Sequence, residues 1–121
     1  MTAIYKNIIA ADVDLVSIRG DKPVFRIAFW EDEANSIPVD LSPFIGNIKM
    51  QIRTTPTATR VLDTLEDGTG LTIGGVDNNE LTIVPNMMEV DTGNYYYDVE
   101  ESVLNATILR GRYITEQDVT R

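Results

Sequence analysis

Between Asn47 and Arg53 the chain alternates without a break, with Ile48, Met50 and Ile52 on one side and Asn47, Lys49, Gln51 and Arg53 on the other. A period of two places successive side chains on opposite faces of an extended segment, so this stretch predicts a half-buried antiparallel strand. The same alternation recurs. Val24 to Trp30 sets Phe25, Ile27 and Phe29 against Arg26, Ala28 and Trp30, and Asp12 to Ile18 sets Val13, Leu15 and Ser17 against Asp14, Val16 and Ile18. No segment predicts a helix of three turns or more. About eight short strands, spaced by roughly 8 to 12 residues and separated by turn signals, predict an all-β sandwich.

The punctuation agrees with that reading. Gly20, within Arg19-Gly20-Asp21-Lys22-Pro23, and Asp67-Gly68-Thr69-Gly70 supply turn chemistry. Leu71-Thr72-Ile73 and Leu81-Thr82-Ile83 flank Gly74 to Asn79 as a hairpin, and Val61 to Leu65 gives a short strand before them. Ile37 to Phe44, broken by Pro38 and Pro43, predicts an extended connection. Pro85 to Val90 fits one helical turn, ended by Asp91-Thr92-Gly93. Within the last strand, Ala106 to Thr115, Gly111 marks either a bulge or a close backbone approach.

The most specific spacing is Asp91-Thr92-Gly93-Asn94-Tyr95-Tyr96-Tyr97-Asp98-Val99. An Asp/Gly turn feeding a strand in this pattern matches the tyrosine corner, in which a Tyr entering the sixth strand hydrogen-bonds back to upstream backbone. Asp91, Gly93, Tyr95 and Tyr97 form that structural corner, with Tyr97 standing where antibody domains place their second Cys. Tyr95, Tyr97 and Val99 are expected to face the core, and Tyr96, Asp98 and Glu100 to face outward. The expected fold is an immunoglobulin-like antiparallel β-sandwich of about 7–9 short strands with one short helical turn near residues 86–91. Residues 1–121 make one domain, with 1–11 an N-terminal arm or edge strand and 116–121 a polar tail.

Composition narrows the function. The chain has no Cys and no His, which removes disulfides, thiolate metal ligands and the side chain that most often acts as a general base near neutral pH. Metal, cofactor and catalytic residues are therefore all expected to be absent. The remaining enzymatic option, a carboxylate pair, finds its acidic residues mostly in turns such as Glu31-Asp32-Glu33, where solvation explains them. Asp77 and its neighbours do not follow the spacing of a Ca²⁺ loop. A net charge of −9 disfavours nucleic acid, no apolar run could span a bilayer, and the N-terminus lacks the layout of a secretory signal. The chain is expected to be made and used without export.

Association is the remaining class. Ile8 and Ile9 in the arm, Trp30 at a strand end, Met88 in the helical turn and outward Tyr96 are the candidate partner contacts. Trp30 reads either as a lid on the core or as an exposed anchor. An alternative is a carbohydrate-binding or host-surface adhesion module, which needs Trp30 and Tyr96 to share one aromatic platform. Arg19-Gly20-Asp21 is too short to carry an adhesion reading, and Gly20 is taken as a turn residue.

In order and spacing, several fragments together resemble one family. They are Arg19-Gly20-Asp21 leading into Phe25 to Trp30, Ile37-Pro38-Val39-Asp40-Leu41, Met50-Gln51-Ile52-Arg53, and Gly70-Leu71-Thr72-Ile73. Gly93 to Val99, Leu109-Arg110-Gly111 and Val119-Thr120-Arg121 complete the set. The chain resembles the immunoglobulin-like domain at the N-terminus of the BppU-type baseplate upper proteins of tailed bacteriophages. Met87 and Met88 replace the small residues usual in that family's helical turn, and the hairpin around Asp77 is longer than its usual one. The resemblance implies a virion structural protein, made in the bacterial cytoplasm, that attaches fibre, baseplate, tail or head components. Its implied partners are other phage structural proteins and further copies of itself, not nucleic acid or membrane, and receptor binding belongs to regions beyond this domain.

Overall fold

The computed structural model describes residues 2–4, 11–31, 37–86 and 91–117. Ten strands lie among them: β1 (Thr2–Ile4), β2 (Ala11–Asp12), β3 (Leu15–Ile18), β4 (Phe25–Trp30), β5 (Ile48–Arg53), β6 (Asp63–Asp67), β7 (Gly70–Gly74), β8 (Glu80–Ile83), β9 (Gly93–Glu101) and β10 (Ala106–Glu116). The hydrogen-bonded order is β1-β4-β8-β7-β6-β5-β9-β10, with both β2 and β3 against β10. Between β6 and β7 only Glu66 with Gly70 and Asp67 with Leu71 are paired, within the turn that joins them. There the chain passes from one layer, β1-β4-β8-β7, into the other, β6-β5-β9-β10-β3. This is the strand arrangement of an immunoglobulin-like sandwich.

Alternation decides which face each strand buries. Ile48, Met50 and Ile52 on β5, Ile27 and Phe29 on β4, Leu71 and Ile73 on β7, and Leu81 and Ile83 on β8 all enter one buried cluster. Tyr97, Val99, Leu109 and Tyr113 close it from β9 and β10. Across that interior the ring of Phe25 meets Tyr113 edge to face, with centroids 6.0 Å apart and planes at 82°. At one loop, buried Asn79 donates its amide to the Phe29 carbonyl, while the Phe29 N–H returns a bond to the Asn79 carbonyl at 2.8 Å.

The corner forms as the spacing predicts. Tyr95, half-buried against the core, donates its hydroxyl to the Asp91 carbonyl at 2.7 Å. Because this bond joins the turn to the strand it feeds, Tyr95→Phe is expected to lower unfolding free energy by about 1 kcal/mol. Urea denaturation checks it, and an unchanged midpoint would show that the bond contributes nothing.

Three features depart from the expected picture. The main ladders are antiparallel, but β3 runs parallel to β10 and β1 parallel to β4. Pairing of β3 with β10 is free to be parallel because no tight turn joins them, the whole domain serving as the crossover. Ser42–Phe44 is a 3-10 turn inside the segment expected to be extended, since the fixed φ of Pro43 suits the first turn of a helix as well as an extended link. The bulge in β10 falls at Ile108, between Thr107 and Leu109, and lets Ile108 and Leu109 both reach the core. The helical turn expected near 86–91 falls largely on residues 87–90, outside the described residues.

Glu101, 1% exposed, holds the β9–β10 connection. Its carboxylate accepts the N–H groups of Leu104 at 2.8 Å and Ala106 at 3.1 Å, satisfying two donors in a turn that Asn105 closes with φ 55°. Burial of this carboxylate therefore has a structural cause.

Candidate functional site: the outer face of the β5-β9-β10 layer

The outward residues of the second layer line up in rows that the ladders define. Gln51 lies opposite Asp98, Asp98 opposite Arg110, and Arg110 opposite Asp12. In the next row Arg53 lies opposite Tyr96, and Tyr96 opposite Arg112. Lys49 sits between Glu66 and Glu100 in a third. Gln51, Arg53, Tyr96, Asp98, Arg110 and Arg112 surround a groove of about 510 Å³.

The edge of this face is built by an interruption. Strands β2 and β3 keep one register on β10, Ala11 opposite Leu109 and Leu15 opposite Tyr113, but Val13 and Asp14 between them leave the ladder. Asp14 substitutes its side chain, accepting the Arg112 backbone N–H at 3.2 Å and its guanidinium at 2.8 Å. Asp12 pairs with Arg110 at 2.9 Å. The freed Val13 carbonyl accepts the Tyr97 hydroxyl at 2.6 Å. It also lies against Gly111, where an added Cβ would stand 2.1 Å from its oxygen. Of the two meanings open for Gly111, close approach is the one observed.

Electrostatics follow from these contacts. The Arg112 side-chain and backbone hydrogen bonds hold the Asp14 carboxyl below the usual range, and Asp14 in turn raises Arg112. Burial, with the carboxylates of Asp14 and Asp12 nearby, pushes the Tyr97 phenol well above its ordinary value, so it remains a donor. Half-buried Asp98 is raised by burial first and Glu100 second, with Arg53 opposing. A carboxyl with a raised folded pKa stabilises the protein at low pH, and that contribution is lost as pH rises through the folded value. Asp98→Asn is accordingly expected to raise the thermal midpoint at neutral pH, with the gain vanishing in acid. Melting curves across pH test this, and a lower midpoint for the variant at pH 7 would contradict it.

The residues expected as contacts fare differently. Tyr96 stands in the groove wall, half-buried. Trp30 is half-buried at the end of β4, bridged to Pro38, in the other layer. The two rings therefore form no common platform. Ile8, Ile9 and Met88 lie outside the described residues. Sequence reasoning passed over Arg53, Arg110, Arg112, Asp12 and Asp14. Outward alternation of Arg110 and Arg112 on one strand was the available signal, but nothing local says that Asp12 is their neighbour.

Among the described residues no group of three or more acidic side chains is placed to hold a metal ion, and no helix is long and apolar enough to cross a membrane. No family model and no curated protein matches this chain.

Proposed function

We propose that this chain is a non-enzymatic structural domain of a bacteriophage particle, an adaptor that joins fibre, baseplate, tail or head components through protein contacts. The observation supporting it most directly is the outer face of β5, β9 and β10. Rows of opposite charge around Tyr96, fixed from behind by a packed interior, offer a rigid surface suited to another folded protein. Backbone position there is set by ladders rather than by loops, so little ordering entropy is lost on docking. The resemblance to the baseplate upper domain supplies the particle context.

Mass spectrometry of purified particles tests the proposal: the chain is expected as a stoichiometric component. Its absence from intact, infectious particles would end this reading.

A further inference from the structure

The rows above also form columns, and the columns alternate in sign. Running across the face, β6 contributes Glu66, β5 contributes Lys49 and Arg53, β9 contributes Asp98 and Glu100, and β10 contributes Arg110 and Arg112. Asp12 and Asp14 finish the series at the rim. The order is negative, positive, negative, positive, negative. Over the whole chain 19 acidic residues face 10 basic ones, so two copies meeting at random repel. On this face four basic residues, Lys49, Arg53, Arg110 and Arg112, meet five acidic ones, Glu66, Asp12, Asp14, Asp98 and Glu100, so the face is far closer to neutral than the chain as a whole.

We infer that this face binds a second copy of the same chain, face to face, about a twofold axis that runs along the strands between β9 and β10. The inference rests on reading the chain as an interaction domain and names its partner. Such an axis exchanges the columns in pairs: β9 meets β10 of the second copy, and β5 meets the rim carrying Asp12 and Asp14. Each row then meets itself reversed. Asp98 faces Arg110 of the second copy, Gln51 faces Asp12, Arg53 faces Asp14, and Tyr96 faces the guanidinium of Arg112, where its ring offers a cation–π contact.

Other axes along the strands fare worse. One through β9 sets β5 against β10, positive on positive, and one through β10 sets Asp98 and Glu100 against Asp12 and Asp14. An axis between β5 and β9 pairs as many columns, but row by row it joins opposite charges only at Lys49 and Glu100, setting Gln51 against Asp98 and Glu66 against Thr107. The groove itself lies along β9 and β10, where the long arginines of the opposing copy need room.

The patch is small. Four columns about 4.8 Å apart and three rows about 7 Å apart give a footprint of roughly 300–400 Å² per copy, against about 800 Å² per partner in a standard stable interface. The dimer is therefore weak, in the micromolar to millimolar range, and sensitive to salt because its contacts are ionic and at the rim.

Sedimentation of the full chain at high protein concentration tests this. A dimer is expected at low salt, reverting to monomer at about 0.5 M salt. Asp98→Arg and Arg110→Asp are each expected to be monomeric alone, since each puts like charges across the axis, yet to associate when mixed in equal amounts. Circular dichroism of each variant confirms folding. If either reversal fails to fold, the milder Arg110→Gln is expected to weaken dimerisation about tenfold. A wild-type chain that stays monomeric at low salt, folded reversal variants that still dimerise alone, or a mixture that stays monomeric would each overturn the inference, as would unchanged dimerisation of Arg110→Gln. The structural role is decided separately: a monomeric chain found in particles keeps that role and loses this one, and a dimer missing from particles does the reverse.

Discussion

Gly111→Ala is expected to lower unfolding free energy by about 3 kcal/mol, and with it the thermal midpoint by roughly 10 °C. The added methyl would lie 2.1 Å from the Val13 oxygen and 2.7 Å from its carbonyl carbon. Both atoms are backbone, so no rotamer change relieves the overlap and the chain at Val13 must move away from β10. That movement strains more than one contact. Val13 also donates its N–H to the Arg110 carbonyl at 2.9 Å and accepts the Tyr97 hydroxyl at 2.6 Å, while its neighbour Asp14 holds Arg112. Equilibrium unfolding in guanidinium is the measurement. A cost under about 0.5 kcal/mol would show the seam to be compliant rather than close-packed.

The second large effect falls on the other side of that carbonyl. Tyr97→Ala is expected to cost about 4 kcal/mol, since it removes a ring that is 4% exposed from the centre of β9 and leaves a cavity between the layers. Tyr97→Phe separates ring from hydroxyl. Keeping the ring and deleting the donor is expected to cost about 1–2 kcal/mol, because the Val13 carbonyl then loses its side-chain partner. If Phe were as damaging as Ala, the hydroxyl and not packing would dominate at this position; if Phe were harmless, the Val13 carbonyl would have another way to be satisfied.

Local periodicity made much of the fold legible. Ile48, Met50 and Ile52, or Phe29 between two outward neighbours, carry their orientation in the spacing of a few residues, because pleating enforces it. Tyr95 was legible for the same reason, since its partner Asp91 is four residues away. The polar face was not. Asp12 and Arg110 are 98 positions apart, and no window of sequence reveals that β2 lies beside β10. Parallel pairing at the rim was missed likewise, because turn signals speak only for strands that turns connect. The Ile108 bulge left no mark, as an extra residue in a strand need not be glycine. Pro43 was ambiguous, its ring being equally at home in an extended link and a helical first turn.

The pairing of β3 with β10, Leu15 against Tyr113 and Ile18 against Glu116, has a temporal meaning. During synthesis β3 cannot dock until β10, the last of the described strands in chain order and the one that pairs with it, has left the ribosome. Until then Leu15 lacks its neighbour Tyr113 and the groove lacks its acidic border. Contacts this distant in sequence are slow to form, so completion of the rim is expected as a late step of maturation. The surface offered to partners thus comes into being only once β10 is in place, which keeps copies that lack it out of assembly.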